Sequence, residues 1–215
     1  MLYACQTLPA RRTWCRRKTR FCQGKNLELE KTNIPEVVAL TPRRFSDDRG
    51  YFSEVWNKAT MAAAGLDIEF VQDNHSFSAQ KGTVRGLHCQ VPPHAQAKLV
   101  RCARGRILDV AVDIREGSPT EGQHVAVELS AENGRQLLVP IGFLHGFVTL
   151  TDDCEVLYKC SGFYAPDSDR SVYFADPAIG VNWGIDEEQA QLSQKDAAAP
   201  GLAAAGLSFV YGEGC

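Results

Sequence analysis

Hydrophobic positions recur with a period of two over short runs of this chain. His124–Ser130 sets Val125, Val127 and Leu129 against Ala126 and Glu128, and residues 109–115 set Val110, Val112 and Ile114 against a polar side. Such alternation predicts half-buried strands. Similar runs predict strands over 37–40, 51–55, 69–74, 98–103, 147–150 and 155–160. Asn133-Gly134 is a pair tolerant of positive φ, and it predicts a hairpin in which residues 136–140 return antiparallel to His124–Ser130. Helix is sparse: Asn57 is placed to cap a segment over 58–64 that stops at Gly65, and 187–195 can form another turn or two. Many short strands predict a sandwich or barrel. The chain shows no internal repeat, no βαβ alternation and no glycine-rich phosphate loop, which excludes Rossmann and P-loop folds.

The chain has 215 residues, 44% hydrophobic and 23% charged, which suits one soluble globular domain with a filled core. Its longest apolar runs, 107–112 and 142–150, fall far short of the roughly 20 residues of a membrane-spanning helix. The net charge of −3 hides an asymmetry. Seven of the 23 basic residues and none of the 26 acidic ones fall in 1–26, leaving 16 basic against 26 acidic, a net −10, for the rest. An acidic body excludes a nucleic-acid surface, because phosphate contacts need a basic face. Any phosphate must meet cations gathered locally. The head, 1–26, has no hydrophobic period and is expected to be disordered; it lacks the serines of a transit peptide and the apolar stretch of an export signal. A translation start near Leu27 or Leu29 would also account for it. Residues 27–215 are then the single domain. Eight cysteines occur without CxxC or zinc-ligand spacing, so reduced thiols in a cytoplasmic protein are expected, with Cys102 and Cys160 as core fillers.

Polar residues concentrate between Asp47 and Lys98: Asp48-Arg49-Gly50, Gln72-Asp73-Asn74-His75, Arg85-Gly86-Leu87-His88 and Lys98 itself. His145, Tyr158-Lys159 and Lys195-Asp196 follow. Singly, each histidine or lysine reads as a structural or solvated residue. Together they suit proton abstraction from carbon beside a ketone, which needs a base, a cation at the carbonyl oxygen and often an acid on the opposite face.

The segments 70–76 (FVQDNHS), 85–88 (RGLH), 98–101 (KLVR), 142–148 (GFLHGFV), 157–159 (LYK), 164–166 (YAP) and 193–200 (SQKDAAAP) resemble those of the dTDP-4-dehydrorhamnose 3,5-epimerases, in order and approximate spacing, over about residues 30–200. The resemblance implies a mainly β fold, a cupin-type jelly roll with a few short helices, that dimerises with strand exchange. It implies His88 as the base acting at C3 and C5 of dTDP-4-dehydro-6-deoxy-α-D-glucose, Asp196 assisting it, Tyr158 returning a proton at C5, and Lys98 stabilising the C4 enolate oxygen. Around a dTDP-sugar it places Arg49, Glu54, Gln72, Asp73, Asn74, Arg85, His145, Asp169 and Lys195, with Tyr164 stacked on thymine and Arg49 acting across the dimer. It implies no cofactor and no metal, and neither a nucleic-acid nor a membrane partner. Cys89 and Phe163 stand where the family commonly has aromatic residues. Three other readings remain: an epimerase of C3 alone or a sugar-nucleotide isomerase, a metal-dependent cupin oxygenase, whose clustered ligands the chain lacks, and a non-catalytic sugar-binding cupin, which has no need of a His, Lys, Tyr and Asp set.

Overall fold

The computed structural model describes residues 20–24 and 26–212. The first strands are β1 (Arg20–Gly24), β2 (Leu27–Lys31), β3 (Val38–Pro42), β4 (Phe45–Asp47) and β5 (Gly50–Phe52), followed by helix α1 (Lys58–Ala63). Then come β6 (Gln72–Ser78), β7 (Val84–Gln90), β8 (Lys98–Arg104), β9 (Arg106–Asp113), β10 (Arg115–Glu116), β11 (His124–Ser130) and β12 (Gln136–Val139). The chain ends with β13 (Phe143–Thr149), β14 (Cys154–Cys160), β15 (Asp169–Ser171), helix α2 (Gln194–Ala197) and β16 (Phe209–Val210). A seven-stranded sheet, ordered β1-β2-β3-β12-β8-β14-β6, faces a five-stranded sheet, ordered β11-β9-β13-β7-β15. The result is the mainly β, cupin-type jelly roll expected from the resemblance.

Three apolar layers hold it. Between the sheets lie Val100, Leu137, Val139 and Val156 from the large sheet against Ile107, Val125, Phe143 and Phe147 from the small one. Outside the small sheet, Val172, Phe174, Ile179 and Trp183 of the C-terminal segment pack over Leu87, Val110, Val112 and Leu144. Outside the large sheet, Met61 of α1 and Trp56 cover Leu99 and Leu138. As expected, Asn57 caps α1, its side chain accepting from the Thr60 amide at 3.1 Å.

Three expectations are corrected. The Asn133-Gly134 turn is present, with Gly134 donating to the Ser130 carbonyl at 3.0 Å, but it joins no hairpin. β11 pairs with β9, whereas β12 pairs with β3 and β8 in the other sheet. The turn sets local geometry, and the apolar demand of two facing sheets decides which partner each strand takes. Next, β9 is buried on both faces. Its apolar Val110 and Val112 lie under the C-terminal cover, and its polar side points inward, where Asp109 meets His145 and Asp113 accepts hydrogen bonds from Arg115, Ser118 and Thr120. The predicted helix over 187–195 is broken into a turn at Glu187–Gln189 and α2, because Gln191 is extended between them and exchanges backbone bonds with Gly82 and Val84. Within the expected head, Arg20–Gly24 pairs antiparallel with β2, and residues 1–19 lie outside the described residues.

β7 shows no clean alternation in sequence, and the structure explains it. His88 stands opposite His145, and Arg85 stands opposite Phe147, so two residues of β7, Gly86 and Leu87, fall opposite one of β13, Gly146. In a regular strand Arg85 and His88 would face opposite ways; this bulge re-phases them so that both line one cavity. Glycine is required there. Gly86 has φ +121°, and a Cβ on it would lie 2.6 Å from the Gly146 Cα. Gly86→Ala is therefore expected to cost about 2 kcal/mol or more in urea unfolding and to displace His88; a variant as stable as the parent would show that the bulge does not need glycine.

Candidate active site

A cavity of about 440 Å³ opens between the sheets where β7 faces β8 and β14. Inward alternation brings His88 from one wall against Lys98 and Tyr158 from the other, and α2 closes one side with Lys195 and Asp196.

His88 Nε2 lies 2.5 Å from Asp196 Oδ1, with the imidazole 29% exposed and the carboxylate 5%. Asp196 is fixed by Ser193, the N-cap of α2, whose hydroxyl donates to Oδ2 at 2.9 Å and accepts from the Asp196 amide at 3.1 Å. Burial pushes the Asp196 carboxyl up, but the hydrogen bond and charge of His88, the Ser193 hydroxyl and Lys195 outweigh it and hold the group below its ordinary value. A buried carboxylate held ionised against an imidazole fixes the ring's tautomer and orientation.

On the facing wall, burial lowers the Lys98 pKa, opposed by Cys160, Cys89, Asp169 and Asp109. Its ammonium lies 3.5 Å from the His88 carbonyl. Burial also raises the Tyr158 phenol, with Cys160 adding to the rise and Arg85 opposing it, so the group holds its proton. His145 is buried and paired through Nε2 with Asp109 at 2.8 Å. Burial lowers its pKa against the pull of Asp109, with Lys98 and His88 adding to the fall.

The mouth is polar. Lys195 reaches Asp169 at 2.5 Å, and the Tyr164 hydroxyl donates to the same carboxylate at 3.2 Å. Gln72 accepts from the Tyr164 amide at 3.0 Å and donates to Asn74 at 3.0 Å. Arg85 is braced by Ser78 and the Phe77 carbonyl.

Of the residues expected at this site, Gln72, Asn74, Tyr164 and Asp169 do not line the cavity and join Lys195 only through these contacts, and Asp73, Arg49 and Glu54 lie apart from it within one chain. Asp73 alternates with Gln72 and Asn74 on β6, so it faces outward and pairs with Lys159 at 2.9 Å. Arg49 is 89% exposed on the β4–β5 turn beside Asp47, and Glu54 accepts from Asn57 at the surface. Asp109 and Ser193 are contributors that the sequence did not single out. Asp109 sat on an apparent solvent side of its strand, whereas the Ser-x-x-Asp spacing at 193–196 is a legible cap signal. Among the described residues, no group of three or more His, Cys, Asp or Glu is placed to hold a metal.

What these groups can do follows from their opposition. A base backed by a buried carboxylate faces a neutral phenol and an ammonium across space for a sugar ring, so a proton can leave one face of a carbon and return on the other while the adjacent oxygen is stabilised. Fold and site thus define an enzyme, an isomerase of the carbohydrate-acting class. The chain belongs to the dTDP-4-dehydrorhamnose 3,5-epimerase family, whose sequence profile matches residues 31–204. It is 50% identical over 183 residues to the dTDP-4-dehydrorhamnose 3,5-epimerase of Sinorhizobium fredii, covering 85% of this chain and 93% of that one. The Salmonella typhimurium protein of the same name is 53% identical over 171 residues, covering 79% and 92%. A crystal structure of the Legionella pneumophila dTDP-6-deoxy-D-glucose-3,5-epimerase, in complex with dTDP-4-keto-L-rhamnose, superposes with a TM-score of 0.78 at 45% identity, covering 83% and 94%.

Burial pushes the Cys89 thiol, adjacent in sequence to His88, up to about 11 despite Lys98 nearby, and raises Cys160 as well. Both thiols are expected to resist iodoacetamide near about pH 8 in the folded protein and to react once it is unfolded. Peptide mass spectrometry after brief labelling reads this directly, and rapid native labelling of Cys89 would mean that its wall opens to solvent.

Proposed function

We propose that this cavity epimerises dTDP-4-dehydro-6-deoxy-α-D-glucose at C3 and C5 without a cofactor, giving dTDP-4-dehydro-β-L-rhamnose for dTDP-L-rhamnose synthesis in the cytoplasm. The observation that carries the reading is the His88–Asp196 pair at 2.5 Å on one wall of a cavity whose other wall holds Tyr158 and Lys98. His88 takes the proton at C3 and at C5, and Asp196 stabilises the imidazolium. Lys98 meets the charge that develops on the C4 oxygen, which is worth most in a water-poor site. Tyr158, its phenol kept neutral by burial, returns the proton at C5 from the opposite face.

Arg85, Gln72, Asn74, His145, Asp169 and Lys195 surround the nucleotide sugar in this reading, with Tyr164, 60% exposed at the mouth, free to stack on the thymine. Arg49 and Glu54 serve the site of a second copy in a homodimer. Support comes from the β4–β5 hairpin, which leaves Phe45, Tyr51 and Phe52 exposed beside them. A Phe52→Asp variant is then expected to sediment as a monomer and to lose most activity; an active monomer would remove the second copy from the site.

The decisive experiment follows deuterium entry at C3 and C5 of the substrate in D2O by NMR. Entry at both carbons, slowed about 10²–10⁴-fold in His88→Ala, is expected. Entry at C3 alone would make the protein a 3-epimerase, and no entry would point to another substrate or a binding role. Tyr158→Phe should spare exchange at C3 more than at C5, and equal loss at both carbons would count against the phenol's assigned role.

A further inference from the structure

Residues 193–196, Ser-Gln-Lys-Asp, have the spacing of a capping box, in which an N-cap serine accepts from the third helical amide and the acid at that position reaches back to the cap's own amide. Only the first half of that exchange occurs here. The Ser193 hydroxyl oxygen accepts from the Asp196 amide at 3.1 Å, but the Asp196 carboxylate is turned away from the cap backbone: Oδ1 meets His88 and Oδ2 accepts from the Ser193 hydroxyl at 2.9 Å. With the amide occupying one lone pair, the single hydroxyl proton is directed to Oδ2. The serine therefore both ends the loop and supplies the second hydrogen bond of a carboxylate that is 5% exposed.

We propose that Ser193 is a positioning residue of the proton-transfer machinery, acting through Asp196 to hold the carboxylate aimed at His88. A buried carboxylate with one fewer donor is a stronger base, so without the hydroxyl the His88–Asp196 pair as a whole keeps a proton to higher pH. In the reading of His88 as the base, the protonated pair is inactive at the abstraction step. The acid limb of the pH–rate profile then moves upward. Outer partners of this kind typically contribute about tenfold or more.

Serine is also a helix cap, and the choice of variants separates that role. Glycine caps nearly as well as serine but donates nothing, alanine does neither, and threonine does both. Exchange at C3 is measured in D2O against pH for the native protein and for Ser193→Ala, Ser193→Gly and Ser193→Thr, with thermal unfolding of each. Support is a rate lowered about tenfold in both Ala and Gly variants, an acid limb raised by roughly 0.5–1 pH unit, and recovery in Thr. The proposal is overturned if the Gly variant keeps the native rate and limb, or if rates fall only in step with thermal stability while the limb stays in place. Absence of exchange in the native protein would instead overturn the reading of His88 on which this rests, a result readable before any variant is made.

Discussion

The contact between His88 and Asp196 is the one on which the rest of the site depends. It joins side chains 108 residues apart, one on the inner face of the small sheet and one on a single turn of helix in the C-terminal segment. A hydrogen bond of this length survives only where both groups are held, since ordering two side chains costs conformational entropy that one bond does not repay. The holding is distributed. The β7 bulge turns His88 inward, the apolar seam of Val172, Phe174, Ile179 and Trp183 clamps the C-terminal segment over the sheet, and the backbone exchange of Gln191 with Gly82 and Val84 sets the position from which Ser193 starts its turn. Hydrophobic burial on the outside of a sheet thereby fixes a polar contact on its inside.

Charge is organised against the average of the molecule. The body beyond residue 26 is acidic, yet Arg85, Lys98 and Lys195 converge on one cavity. An anionic ligand would be repelled by the surface and attracted by the cleft, an arrangement that focuses the field where walls of low polarity surround it. Within the cavity, Asp196 and Asp109 each face a histidine, and Lys98 lies near enough to feel Asp109 and Asp169. Each buried charge thus has a partner of opposite sign nearby, which offsets its desolvation while leaving it positioned for proton or charge transfer.

Much of the fold was written in local pattern. Alternation in β11 and β14, and the Asn57 cap of α1, required no knowledge of partners, because strand faces and helix caps are decided within a few residues. Strand pairing was not local. Asn133-Gly134 makes its turn as its chemistry dictates, but the segments on either side are claimed by different sheets. The alternation of β9 was read correctly as a pattern and wrongly as to its faces, since an apolar side marks burial but does not say whether a neighbouring side is wet or lined with paired polar groups.

For the site, residue types showed only that the chain carries groups suited to proton transfer beside a carbonyl; the resemblance of the segments they stand in singles out His88, Lys98, Tyr158 and Asp196. The structure brings all four to one cavity. Sequence alone could not separate Gln72 and Asn74 from Asp73, whose side is set by the pleat of β6 once it pairs with β14. Nor could it show that Ser193 and Asp109 complete the two carboxylate–histidine pairs. The chain by itself determined which groups are available and which short segments are strands, because both follow from the chemistry of neighbouring residues. Tertiary structure decided which groups meet, because contacts across a hundred residues are selected by the packing of layers that no short stretch of sequence contains.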